Sequence, residues 1–213
     1  MDPNMQWYYE TRGRKAVAEL EKNNFTAAYF SDRASAAAQI LKLVPDGAKV
    51  GFGGSMTIQA MGIREKLAEK KCTLLDHNKE GLALEERNAI RRQQLLSDVF
   101  LCSSNAVTMR GELVNVDGAG NRVAAMMFGP GRVIIVVGIN KLVNTLEEAH
   151  ERIKTVAAPV NNKRLNYQNP CVESGQCMNC RSKTRICNLT TILHRRPPLT
   201  DIHVLVIGEE LGY

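Results

Sequence analysis

The run RVIIVVG, residues 132–138, constrains the fold more than any other part of this chain. Its five central residues are all apolar and β-branched, with none of the polar alternation of a strand that has one wet face. A strand of this kind is buried on both sides. KVGF (49–52), CTLLD (72–76), VFLCSS (99–104) and HVLVIG (203–208) are similar short runs. Helical patterns separate them: IQAMGIREKLAEKK (58–71), LALEERNAIRRQQLLS (82–97) and TLEEAHERIKTVAA (145–158). The alternation predicts an α/β fold, an open, mainly parallel sheet with helices on both faces. GELVNVDGAGNRVA (111–124) reads as a β-hairpin turning at Asp117-Gly118-Ala119-Gly120. Residues 1–44 read as a helical segment, with a helix from about Gln6 to Lys22 and an Ala-rich one capped by Ser31 or Asp32. Trp7, Val17 and Leu20 are the expected apolar positions of the first helix. The whole of 1–213 is expected to form one domain, with 159–201 as an excursion before the last strand.

Composition excludes several classes. Hydrophobic residues make up 44% and charged residues 23%, which is neither disordered nor fibrous. No apolar run approaches the roughly 20 residues of a membrane helix, so no membrane span is expected. The opening MDPNMQWYYETRGRK lacks an apolar signal region, and a cytoplasmic location is expected, where thiols stay reduced.

Charge and sulfur coincide. The net charge is +6, and between Pro159 and Pro198 seven cations face Glu173 alone, which accounts for all of it. The same segment holds CVESGQCMNCRSKTRIC, with Cys171, Cys177, Cys180 and Cys187. Four thiolates satisfy either a [4Fe–4S] cluster or a tetrahedral zinc, and Arg181, Lys183 and Arg185 offset the negative charge of either. The spacing matches neither a zinc ribbon nor a bacterial ferredoxin, and the centre would serve in electron transfer or only staple the loop. Cys72 and Cys102 lie in strand patterns and read as buried apolar residues.

Two further constellations carry chemistry. KVGFGGSMT places Gly53, Gly54, Ser55 and Thr57 after a strand, as an anion cradle or simply a tight turn. It is neither a Walker A loop nor a dinucleotide fingerprint. SSNAVTMRGELVNVDGAGNRVA (103–124) gathers Asn105, Thr108, Glu112, Asp117, Asn121 and Arg122 after another strand, where open α/β sheets bind ligands. Glu112 fits a general base or nucleophile and Arg122 a carboxylate clamp, while Asp117 and Asn121 also fit ordinary turn residues. GINK (138–141) adds Asn140 and Lys141 at the same edge.

The segments GFGGSMT, SSNAVTMRGELVNVDGAGNRVAAMMFGP, VVGINK and VLVIGEELGY together resemble the lactate-utilisation (LUD) family, over about residues 45–213. The resemblance implies the fold of ribose-5-phosphate isomerase, glucosamine-6-phosphate deaminase and CoA transferases, whose members bind phosphates, sugars or acyl thioesters at glycine-rich strand ends. It also implies a role in oxidising lactate or another organic acid through iron–sulfur proteins. The double ferredoxin motif of larger members is absent. Two readings follow. One is a redox component with a [4Fe–4S] cluster, a small carboxylate or phosphate ligand and an acidic redox partner protein. The other is a non-redox isomerase or acyl/CoA-transfer enzyme, with Glu112, Arg122 and Lys141 as catalytic groups and a structural metal. A nucleic-acid partner is disfavoured, since Tyr167 is the one aromatic residue in the basic segment. Trp7, Tyr8 and Tyr9 would pack on the core or join copies in a homo-oligomer.

Overall fold

The computed structural model describes residues 2–213. In chain order the elements are α1 (Pro3–Lys22), β1 (Thr26–Phe30), α2 (Arg33–Leu43), β2 (Lys49–Phe52), α3 (Met56–Ala60), α4 (Ile63–Glu69), β3 (Thr73–Leu75), α5 (Leu84–Gln94) and β4 (Val99–Cys102). There follow β5 (Ala106–Thr108), β6 (Leu113–Asp117), α6 (Asn121–Met127), β7 (Arg132–Gly138), a 3-10 turn (Ile139–Lys141), β8 (Leu142–Val143) and α7 (Leu146–Arg152). A π-helical turn (Ile153–Ala157) leads into α8 (Ala158–Arg164), then α9 (Pro170–Ser174), β9 (Leu189–Leu193) and β10 (Asp201–Ile207).

Six strands form one sheet in the order β1-β10-β7-β4-β2-β3, every neighbouring pair parallel. Strand periodicity of two explains its composition. Val133, Ile135 and Val137 of β7 enter the core on one face, with Phe100, Val204 and Val206. Ile134 and Val136 enter the core on the other, with Val99, Leu101, Leu205 and Ile207. The second face is covered by α2, α3 and α4 through Ala37, Ile40, Ile58, Ile63 and Leu67. The first is covered by α1, α6 and a smaller sheet, ordered β8-β5-β6-β9, through Leu20, Met126, Val107, Leu113, Leu142 and Leu193. The opposite face of that smaller sheet, with Ala106 and Val114, rests on Ala149, Ile153 and Ala158.

The α/β class and parallel sheet are as expected, but several assignments are corrected. The hairpin lies one turn earlier. β5 pairs antiparallel with β6, and the turn is Thr108–Glu112, where Gly111 takes φ +77°. The second half of the expected hairpin is helix α6. Val123 and Met126, three residues apart on this helix, are both buried, and Asp117 Oδ2 accepts from the Val123 N–H at 3.1 Å. Residues 1–44 are not wholly helical. TAAYF is β1, an edge strand whose small residues give little apolar signal, and it pairs with β10. The excursion 159–201 contributes α8, α9 and β9, the last pairing antiparallel with β6. In α1, Asp2 accepts from the Asn4 and Met5 N–H groups, and Gly13, Ala16 and Leu20 form the buried stripe, while Trp7 is 67% exposed. Asp32, not Ser31, caps α2.

Because β7 is enclosed on both faces, truncating it leaves a void that its neighbours cannot fill. Ile134→Ala is expected to cost about 2–5 kcal/mol, read as a lower urea midpoint at unchanged slope.

Candidate functional site

A cleft of about 460 Å³ opens at the C-terminal edge of the large sheet. The segments that follow β2, β3, β4, β7 and β10 all reach it, with Gly53–Met56, His77 and Asn78, Ser103–Asn105, Lys141 and Tyr213 in its lining. Parallel strands deliver their outgoing loops to one edge, so this convergence follows from topology. α8 adds Asn161 and Arg164, α5 adds Arg91, and the cysteine loop adds Lys183–Ile186 as another wall.

The lining carries the side chains of Arg91, Arg122, Lys141, Arg164, Lys183 and Arg185 against one side-chain carboxylate, Asp117. Asp117 and Arg122 largely answer each other, their groups standing 3.6 Å apart. Arg122 is also fully engaged. Nη1 donates to the Ser103 carbonyl and Asn115 Oδ1, and Nη2 to Asn105 Oδ1 and the Val116 carbonyl, each at 2.9 Å. With all four Nη protons taken and Nε facing Asp117 at 3.6 Å, the expected carboxylate clamp has little left to offer a ligand. Arg122 is a strut between the loop after β4 and strand β6. Gly53 makes room for it, since a Cβ there would stand 3.2 Å from Arg122 Cγ and 2.9 Å from Cys102 Cβ.

Lys141 is the opposite case. It is 3% exposed, and its Nζ donates to Thr57 Oγ1 and Ser103 Oγ, both at 2.9 Å. Neither partner is charged. Burial, then Arg152 and Arg122, push its pKa down to about 7. His77 is buried at the cleft wall and was not anticipated from sequence. Gln94 Nε2 donates to the carbonyls of Phe52 at 3.0 Å and Leu75 at 2.7 Å, which fixes the amide orientation. His77 Nδ1 stands 3.0 Å from the same nitrogen. Burial and Arg91 lower the His77 pKa and favour its neutral form.

The remaining sequence candidates divide. Gly53, Gly54, Ser55, Asn105, Asp117, Asn121 and Lys141 meet at the cleft. As an anion cradle the glycine turn is partly spent, since the Gly53 N–H donates to the Leu101 carbonyl and Ser55 Oγ accepts from Ile58. Thr57 lies beneath, donating to the Leu211 carbonyl, while Asn140 Nδ2 donates to the Gly212 carbonyl, so both hold the C-terminal segment. Thr108 and Glu112 are not in the lining. Glu112 Oε2 accepts from the Thr108 hydroxyl, and Oε1 lies 2.9 Å from His194 Nδ1, which ties the hairpin turn to the end of β9.

All six cysteines are free thiols, and Cys102 is fully buried, its pKa pushed up to about 12 by burial. Cys171, Cys177, Cys180 and Cys187 lie close enough to perturb one another. Burial and then neighbouring Cys177 push Cys187 up to about 11, and burial and Cys180 raise Cys171. N–H and hydroxyl donation from Ser182 lowers Cys180. The loop is anchored at Cys177, whose N–H donates to the Lys154 carbonyl at 2.8 Å. A π-turn pairs residue i with i+5, as Ile153 does with Ala158. Five residues beyond Lys154 stands Pro159, which has no N–H, so the Lys154 carbonyl is left for the loop. Arg185 closes the other end, donating to the carbonyls of Cys180 at 2.5 Å and Cys187 at 3.0 Å. By type and number the four thiols suit a four-thiolate centre. Among the described residues, no group of three or more His, Cys, Asp or Glu side chains is positioned to hold a metal ion.

Arg122 carries a direct consequence. Arg122→Ala takes a donor from four acceptors in a largely enclosed place, two of which (Asn105 Oδ1 and Asn115 Oδ1) keep a backbone N–H, and a loss of about 2 kcal/mol in chemical denaturation is expected.

Comparison with known proteins places this architecture. The crystal structure of a DUF162 family protein from Deinococcus radiodurans aligns with 95% of this chain and 98% of its own, at a TM-score of 0.51 and 15% identity, a likeness of fold. A D-ribose-5-phosphate isomerase, solved in complex with phospho-erythronic acid, aligns over 54% of each chain at a TM-score of 0.35 and 20% identity. No curated protein matches the chain. The LUD domain family matches residues 13–207, nearly the full length described above, and the chain belongs to that family.

Proposed function

We propose that this protein binds a small carboxylate- or phosphate-bearing ligand in the cleft, carries a [4Fe–4S] cluster on Cys171, Cys177, Cys180 and Cys187, and serves as a redox component of organic-acid utilisation, lactate among the candidates. The observation that carries the ligand half is cationic charge without counter-charge. Once Arg122 and Asp117 are paired, Arg91, Lys141, Arg164, Lys183 and Arg185 remain around one small volume. A buried cation with hydroxyl partners alone is costly, and an entering anion relieves that cost.

The cluster half is supported by four thiols on one loop and by that loop's position, since Lys183–Ile186 form a wall of the same cleft. When bound, the cluster supplies a one-electron carrier. The chain's own residues hold the ligand: the arginines orient its acid group, and Lys141 gives or takes a proton at the floor. A second reading is a non-redox isomerase or acyl/CoA-transfer enzyme with a structural metal. It is favoured by Lys141 itself, a base that changes charge near neutrality inside the cleft. Glu112 has no part in either, given its place outside the lining.

Anion binding should draw a proton onto Lys141, whose free-state pKa is about 7. Below that pH the ammonium already exists; above it, binding must first pay for protonation. Affinity for phosphate or pyruvate, measured by calorimetry, is therefore expected to fall as pH rises through 7, and Lys141→Met should weaken it roughly tenfold. Affinity independent of both would overturn the ligand half. Separately, protein purified without oxygen should show visible absorbance bleached by dithionite, with about four irons and four sulfides per chain. A colourless protein with about one zinc favours the second reading, and free thiols with neither metal remove the cluster.

A further inference from the structure

The surroundings of the Lys141 amine say more than that the site accepts anions. Thr57 Oγ1 donates its single proton to the Leu211 carbonyl at 3.0 Å, and Ser103 Oγ donates its own to the Ser104 carbonyl at 3.2 Å. Both hydroxyls can therefore only accept from Lys141 Nζ, as they do at 2.9 Å. Two acceptors satisfy two N–H bonds, the number a neutral amine has. On the neutral amine the remaining tetrahedral position is a lone pair. An ammonium would carry a third N–H there, with no acceptor among the described residues. Lys141 also lines the cleft, with Arg164 and Lys183 in the same lining to hold an acid group. With a pKa of about 7 the amine is neutral in a substantial share of molecules near neutral pH, and that form, positioned by two hydroxyls beside an anion site, meets the requirements of covalent catalysis by lysine.

We propose that Lys141 is a nucleophile that forms a reversible imine with a small anion that also carries a carbonyl, either a 2-oxo acid or a triose phosphate. This rests on the anion-site reading above and specifies its ligand class. The Nζ lone pair attacks the carbonyl carbon and forms the C–N bond, while the C=O π pair moves to oxygen. Nζ gives up both of its protons in the course of dehydration, and the oxygen leaves with them as water, so that the amine and carbonyl become imine and water. The net step needs neither oxidant nor reductant. The 2-oxo acid is also the form that oxidation of a 2-hydroxy acid would leave in the cleft.

The test uses the full chain incubated with pyruvate or dihydroxyacetone phosphate and sodium cyanoborohydride, followed by peptide mass mapping, with lactate as the control lacking a carbonyl. The expected result is a reduced adduct on Lys141, at least about tenfold above any surface lysine, suppressed by excess phosphate and absent in Lys141→Arg. Adduct with pyruvate alone assigns the 2-oxo acid, and adduct with dihydroxyacetone phosphate alone assigns the phosphate ester. If calorimetry shows pyruvate bound while Lys141 stays unmodified, the imine is overturned and the anion site stands. If pyruvate, lactate and phosphate all fail to bind and no adduct forms, the anion site falls and the imine with it.

Discussion

Strands buried on both faces and running one way are the constraint from which the rest of this molecule follows. Each of the five strand pairs in the large sheet is parallel. Every connection must then cross back over a face, and every outgoing loop leaves at the same edge. The faces have no use for polar groups, because Val, Ile, Leu and Phe occupy them. Polar side chains therefore collect at that edge, and what they do there depends on how many acceptors each finds.

Arg122 and Lys141 show how far that count can separate two cations of one cleft. Arg122 meets four oxygens and a nearby carboxylate, and its guanidinium is consumed as structure. Lys141 meets two hydroxyls whose protons are already committed. The first is charged and inert; the second is held near the point where its charge is optional. Arg122 keeps a role in the site all the same, because its bonds to the Ser103 carbonyl and Asn105 set the loop on which Ser103 meets Lys141.

Much of this was legible in the chain. β2, β4, β7 and β10 announce themselves because two-sided burial leaves an unbroken apolar run. β1 and β9 did not, since TAAYF and LTTIL are strands rich in small or hydroxylated residues. Asp117-Gly118-Ala119-Gly120 looks like a hairpin turn but is a strand-to-helix junction, while the true turn, centred on Gly111, lacks the Asn-Gly or Asp-Gly pair that marks such turns. Several residues singled out after parallel strands line the cleft, Gly53, Asn105 and Lys141 among them. His77 obeys the same rule, standing two residues beyond β3, and was readable. The exhaustion of Arg122 and the placement of Glu112 on His194 were not, because both depend on partners supplied by the folded backbone or by residues 82 positions away.

The break in hydrogen bonding at Pro159 gives the molecule a mechanical linkage. The Lys154 carbonyl that Pro159 cannot serve holds Cys177, and the same helical stretch continues to Asn161 and Arg164 in the cleft. The thiol loop is thereby hydrogen-bonded to a helical stretch whose far end lines the cleft. Any residue other than proline at 159 would bring a backbone N–H able to compete with Cys177 for the Lys154 carbonyl. One missing backbone proton thus ties the thiol loop to the wall of the cleft.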